Sequence, residues 1–218
     1  LNEDFDQTLF ALNEDDTLSY DGGEVPASFE QWEPIAGESD VEYVGTFDGN
    51  NKTISGLYFN DNSSENGQRV GLFGFLGEDG KIQNLTLSNS IVRGQIYVGG
   101  IVGESSGTFE NCTNEADVIA TNIHAGGIVA SASSNDATIT NCHNTGNIKG
   151  MAYVGGIAGS CFANVTNCTN TGDVEGSGTY GVGGIIGITT SQYSVTVKGC
   201  YNTGNITSTL KGYAYVGG

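Results

Sequence analysis

The chain has 218 residues, 35 of them glycine, and a formal net charge of −18. An acidic chain repels phosphate backbones, which excludes nucleic acid as a natural partner. No apolar run approaches the ~20 residues of a membrane span, so no membrane insertion is expected within it, and the glycines follow no Gly-X-Y period, which excludes collagen.

The first 31 residues form an acidic segment. Fourteen Asp or Glu and no Lys or Arg fall in residues 1–50. Phe5, Leu9 and Leu12 sit at i, i+4 and i+7, behind Asn2 as N-cap with Glu3 and Asp4 in the first turn. That spacing predicts a short amphipathic helix that caps the exposed end of whatever follows. Asp15, Asp16, Asp21 and Glu24 offer carboxylates for a calcium ion, although their spacing matches no EF-hand loop. Otherwise this stretch is a solvated acidic face.

From residue 32 to 218 the chain repeats. Val70-Gly71-Leu72-Phe73-Gly74 returns as Val98-Gly99-Gly100-Ile101-Val102-Gly103, Ala125-Gly126-Gly127-Ile128-Val129-Ala130, Val154-Gly155-Gly156-Ile157-Ala158-Gly159 and Val182-Gly183-Gly184-Ile185-Ile186-Gly187. A cut-off copy, Val216-Gly217-Gly218, ends the chain, and successive steps are 28, 27, 29, 28 and 34 residues. Such a period means stacked units, none of which buries its apolar face alone. Between the Gly-Gly phrases lie Asn111-Cys112-Thr113-Asn114, Asn141-Cys142-His143-Asn144, Asn167-Cys168-Thr169-Asn170 and the variant Gly199-Cys200-Tyr201-Asn202. Three residues on come Asp117, Asn147, Asp173 and Asn205, each followed by Val or Ile.

One unit therefore reads as three short strands separated by Asn and Gly corners, the pattern of a parallel β-solenoid of about six coils rising ~4.8 Å each. A β-propeller needs about 40 residues per blade, more than this period supplies. Asn and Gly tolerate left-handed corner angles, and Asn114, Asn144, Asn170 and Asn202 are placed to hydrogen-bond from coil to coil as a structural ladder. The chain stops inside a repeat, which reads as a piece of a longer protein.

The Val-Gly-Gly-Ile-Val-Gly and Asn-Cys-Thr-Asn-Thr-Gly-Asp-Val phrases resemble the GLUG motif of bacterial surface proteins. The stretch Trp32-Glu33-Pro34-Ile35, with Gly45-Thr46-Phe47-Asp48-Gly49-Asn50-Asn51-Lys52-Thr53-Ile54-Ser55-Gly56-Leu57, is similar to the opening coil of those proteins. The resemblance implies a right-handed, pectate-lyase-like β-helix, extracellular or on a bacterial cell surface. It also implies use in adhesins or beside IgA-protease-like enzymes, with no catalysis inside the repeats.

Cys112, Cys142, Cys168 and Cys200 share one repeat position, and Cys161 lies outside it. One column with no C-x-x-C pair offers no tetrahedral metal cage, so the sulfurs read as buried free thiols, although stacked positions lie within disulfide reach. His124 and His143 occupy positions held by Tyr and by Thr or Tyr in other coils, and read as structural. No H-E-x-x-H or G-x-S-x-G motif is present, acids are scarce in the regular coils, and Lys and Arg do not cluster. An enzyme acting on polysaccharides is the third-ranked reading.

Tyr97, Tyr153 and Tyr215, with Tyr180 shifted by one position, precede the Gly-Gly phrase. If the following Val points inward, each Tyr points outward, either to stack on sugars and anchor a protein or to stack on one another. The favoured reading is a non-enzymatic, exported stalk or adhesion surface that meets a host protein, a bacterial surface protein or a glycan. A carbohydrate-binding module using the Tyr stripe is the alternative. No cofactor is expected, apart from the calcium noted above.

Overall fold

The computed structural model describes residues 2, 4–38, 40–61, 68–178, 180–189, 194–209 and 216–217. Glu3, Tyr215 and Gly218 lie outside the described residues. The chain is a parallel β-solenoid whose coils wind through three sheets. In the first sheet five strands stack in register, Phe73–Leu76, Val102–Ser105, Val129–Ala132, Ala158–Cys161 and Ile186–Ile188. These five mark about five turns, one fewer than the repeats suggest. Before Phe73 the first sheet holds only single bridges, from Ile35 to Phe73 and from Tyr43 to Leu76.

The second sheet runs from Thr46–Ser55 through Lys81–Ser88 and then splits, in each later coil, into two short strands. The split falls at the Asn-Cys corner. Asn84, Asn111, Asn141 and Asn167 hold φ of 53°, 53°, 52° and 53°, and Gly199 holds 65°. Left-handed backbone strains most L-residues but suits Asn and Gly, so these types mark the bend. The third sheet carries Tyr58–Asn60, Ile91–Gly94, Asp117–Gly126, Ile148–Gly155, Val174–Gly176 and Ile206–Ser208.

Inward positions form apolar columns. Ile82, Phe109, Ile139 and Val165 lie in register in the second sheet, and Val92, Val118, Ile148 and Val174 in the third; all are buried. Period-two alternation thus becomes a continuous core along the axis, with each coil burying the face of its neighbour. Cys161 is buried in the first sheet, away from the other four sulfurs.

The N-terminal segment departs from the helix that its spacing predicts. Only Gln7–Leu9 turns, as a 3₁₀ helix capped by the Asp6 side chain, which accepts from Thr8 N at 3.0 Å. Phe10–Leu12 then pairs antiparallel with Leu18–Tyr20 as a hairpin. Packing overrides the helical spacing here. Phe5, Phe10, Tyr20 and Phe29 gather over Tyr58 and Ile91 on the outer face of the third sheet, with ring centroids of Phe5 and Phe10 5.0 Å apart. The cap this segment makes is a lateral one: Asn2 N reaches the Gly56 carbonyl, Gln7 N reaches Asn89 Oδ1 and Gln7 Nε2 reaches the Glu115 carbonyl, across three successive coils.

Candidate functional site

Polar and aromatic groups line up in columns parallel to the axis. The inner column is Asn114, Asn144 and Asn170, all buried, and half-buried Asn202. Asn114 Nδ2 donates to Asn144 Oδ1 at 2.8 Å, Asn144 to Asn170 at 2.7 Å, and Asn170 to Asn202 at 2.7 Å. The second proton of each amide goes to a carbonyl two residues on, of Ala116, Gly146, Gly172 and Gly204. Both protons of the three buried amides, Asn114, Asn144 and Asn170, are thereby placed in the core, where an unpaired amide would cost several kcal/mol, on the order of 2–7. A residue type missing from the motif's obvious logic completes this column: the second glycine of each Gly-Gly phrase. A Cβ on Gly100, Gly127, Gly156 or Gly184 would run into the side chains of Asn114, Asn144, Asn170 or Asn202. Fourteen to eighteen residues separate the partners in sequence, which hides the coupling until the coil closes.

A second Asn column lies outside, at the left-handed corner. Asn111 Nδ2 donates to Asn84 Oδ1 at 3.1 Å, Asn141 to Asn111 at 3.2 Å, and Asn167 to Asn141 at 3.4 Å. Beside it runs an Asp–Asn alternation: Asn147 N and Nδ2 donate to Asp117 Oδ1 at 3.0 and 3.1 Å, and Asn205 repeats this on Asp173. Burial raises the Asp117 pKa, with the two Asn147 bonds opposing.

All five cysteines are free thiols. Cys142 N donates to Cys168 Sγ at 3.4 Å and Cys168 N to Cys200 Sγ at 3.4 Å, and the Cys112 side chain meets that of Cys142. Burial pushes the Cys142 thiol up, and Cys161 up to about 12. Only Cys200 is partly exposed.

The tyrosines form one column with a histidine in it. Tyr97 and His124 stack at 4.9 Å, while His124 and Tyr153 at 5.0 Å and Tyr153 and Tyr180 at 5.1 Å pack as tilted pairs. Of the two arrangements open to these rings, mutual stacking is what the structure holds, so the faces that would meet a sugar are covered by neighbouring rings. Strand alternation does not present them: His124 and Tyr153 take φ of 61° and 51°, so a left-handed corner throws the ring outward. Tyr180 is 52% exposed and Tyr97 is half-buried. Burial raises the Tyr97 pKa, with the Glu104 charge adding to it. His124 is pushed down to about 4 by burial, and its Nδ1 is buried without a partner.

The acidic hairpin borders an open groove of about 830 Å³ whose lining includes Asp15, Asp16, Glu24, Asn60 and Arg93. Asp15 Oδ1 is engaged in its own turn, accepting from Thr17 Oγ1 at 2.6 Å and Thr17 N at 3.1 Å, which lowers its pKa. Asp16 offers Arg93 its backbone carbonyl, and Arg93 Nη1 donates to Asn60 Oδ1 at 2.8 Å. Arg93 is 4% exposed, and desolvation lowers its pKa against the opposing charge of Asp16. Sequence reasoning passed this cation over, because nothing in Val92-Arg93-Gly94 signals that a distant hairpin will cover it. Among the described residues, no three His, Cys, Asp or Glu side chains come together as a metal site.

Comparison with known proteins agrees with this architecture. The GLUG motif profile matches residues 94–119 and 121–149. Halomucin of Haloquadratum walsbyi is 48% identical over 77 residues, which is 35% of this chain; the matched stretch is 1% of the length of Halomucin. A crystal structure of a Bacteroides ovatus protein assigned by name as an immunoglobulin A1 protease superposes with a TM-score of 0.65 at 20% identity, over 88% of this chain and 74% of that one. At that identity the likeness speaks for the fold alone.

Proposed function

We propose that this GLUG-repeat β-solenoid is a non-enzymatic segment of an extracellular or cell-surface protein, serving as a stiff stalk or adhesion surface. The observation that carries the reading is the use of its polar and aromatic side chains: two Asn columns, the thiol stack and the ring stack spend their bonding capacity on the next coil. A chain built this way gains axial cohesion, and its long outer faces remain for contact. Likeness to Halomucin supports a surface setting, and the acidic segment suits a solvated exterior. Fold by itself does not choose among functions, since unrelated activities share such scaffolds.

The test is protease shaving of intact cells of the parent organism, followed by peptide mass spectrometry. Release of peptides from this chain without release of cytoplasmic markers is the expected result; retention until lysis overturns the reading. Turnover of acidic polysaccharides by the purified chain would overturn its non-enzymatic part.

A second reading, a carbohydrate-binding module, draws on the 52% exposure of Tyr180 at one end of the ring column. A glycan-array screen of the chain beside its Tyr97/Tyr153 double alanine variant separates the two. Saturable binding lost in the variant would favour the module and a recognition role.

A further inference from the structure

Seven Asn-X-Ser/Thr triplets are spread over the chain, beginning at Asn51, Asn62, Asn84, Asn111, Asn164, Asn167 and Asn205. This triplet is the acceptor of N-linked glycosylation and belongs on the surface of exported proteins. Three of them, at Asn84, Asn111 and Asn167, fall on the outer corner column described above, and Asn51 lies at the same corner one coil before Asn84. The register aligns Lys52 with Leu85, Thr113 with both Thr86 and His143, and His143 with Thr169, which sets Asn51, Asn84, Asn111, Asn141 and Asn167 at one corner of successive coils. Asn51, Asn111 and Asn167 are exposed, while Asn84 is half-buried with its Nδ2 donating to Asp48 Oδ1 at 3.0 Å. In the coil between Asn111 and Asn167, Asn141 is followed by Cys142-His143, which breaks the triplet. Along this corner the exposed acceptors therefore recur on every second coil.

We propose that Asn51, Asn111 and Asn167 are N-glycosylation sites, which set a row of sugars along one edge of the solenoid; this rests on the chain being exported. Coils stack ~4.8 Å apart, too close for a pyranose on each, whereas every second coil leaves roughly 10 Å. Asn84 and Asn141, the two intervening positions, are the ones that the fold occludes or the sequence disables. In the reaction Nδ2 attacks C1 of a lipid-phosphate-linked oligosaccharide. The N–C1 bond forms, the C1–O bond to phosphate breaks, the lipid phosphate leaves and Nδ2 loses one proton.

The acceptor amide must be reachable on the folded chain, which favours exposed Asn51, Asn111 and Asn167 over half-buried Asn84, and the fold must then carry the product. It can: Nδ2 of Asn111 gives one proton to Asn84, and Nδ2 of Asn167 gives one to Asn141, while a glycosylated amide keeps one N–H for that bond. Cys112 and Cys168, between Asn and Thr, point into the core, and the triplet ends stay outside.

The experiment is glycopeptide mass spectrometry on the chain recovered from its parent organism, with cell-surface and cytoplasmic fractions analysed separately. Glycan mass on Asn51, Asn111 and Asn167, with bare Asn84 and Asn141, is the expected pattern. Asn51→Gln, Asn111→Gln and Asn167→Gln should each remove one glycan and leave the other two. Bare asparagines at all three positions in surface-exposed protein overturn the proposal while leaving the surface reading intact. Chain confined to the cytoplasm overturns both. Sugar on Asn84 refutes the two-coil spacing.

Discussion

Replacing His124 by Tyr should flatten the acid dependence of stability. The imidazole sits between the rings of Tyr97 and Tyr153, with its Nδ1 buried and unpartnered, and burial holds its pKa near 4 against an ordinary value of 6.5. The unfolded chain therefore takes up a proton near pH 6.5, and the folded chain only near pH 4. Stability linked to this group is fully present above 6.5, drains away as pH falls from 6.5 to 4, and changes no further below that. At 1.36 kcal/mol per pKa unit the loss reaches about 3 kcal/mol, and about 2–3 kcal/mol is gone by pH 4.5. Tyr is the natural replacement because Tyr153 fills the equivalent place one coil on, with φ of 51° against 61° for His124. Denaturant melts of both proteins at pH 7.5 and pH 4.5 isolate the effect, since every carboxylate and His143 are common to the two. The difference in stability between wild type and H124Y should shift by about 2–3 kcal/mol in favour of the variant on acidification. Equal losses in the two proteins would refute the claim that this ring is buried neutral.

Asn147→Asp would complete a line of three carboxylates between Asp117 and Asp173, and should cost about 1 kcal/mol at neutral pH. The same melts below pH 3 should show that cost relieved. Gly127→Ala drives a methyl into Asn144 and the Gly156 carbonyl, so a loss of about 2 kcal/mol or more, or failure to fold, is expected in thermal unfolding. Truncating Asn144 to Ala strands its partners Asn114 and Asn170 in the core, with an expected loss of about 2–4 kcal/mol by denaturant titration. Thiol labelling of the native protein should modify Cys200 first and the four buried sulfurs only after unfolding, when all five react. Rapid native labelling of Cys142 would contradict its burial.

Much of this molecule was written in one dimension. A period near 28 residues with Asn and Gly at fixed offsets demands stacked coils, because no unit of three short strands covers its own apolar side. The Cys112–Cys200 and Asn114–Asn202 columns follow from the same arithmetic, since residues at one repeat position must stand above one another. The helix expected at Phe5, Leu9 and Leu12 failed because that spacing is a local signal. Contacts of Phe5 and Phe10 with Tyr58 and Ile91, some fifty to eighty residues away in sequence, outweigh it.

Sequence alone therefore determined the fold class, the period and which residues share a repeat position, which depend only on residue spacing. Tertiary structure decided how the columns are used. The rings of His124 and Tyr153 join the column from a left-handed corner, invisible in the pattern, that sets their direction. Arg93 is buried because a hairpin from the far N-terminus folds across it. Gly127 must remain glycine because closing the coil brings it against Asn144. In each case the deciding contact joins residues that are distant along the chain and adjacent only once the coils have stacked, so the interaction energy that selects the outcome exists only in the folded state.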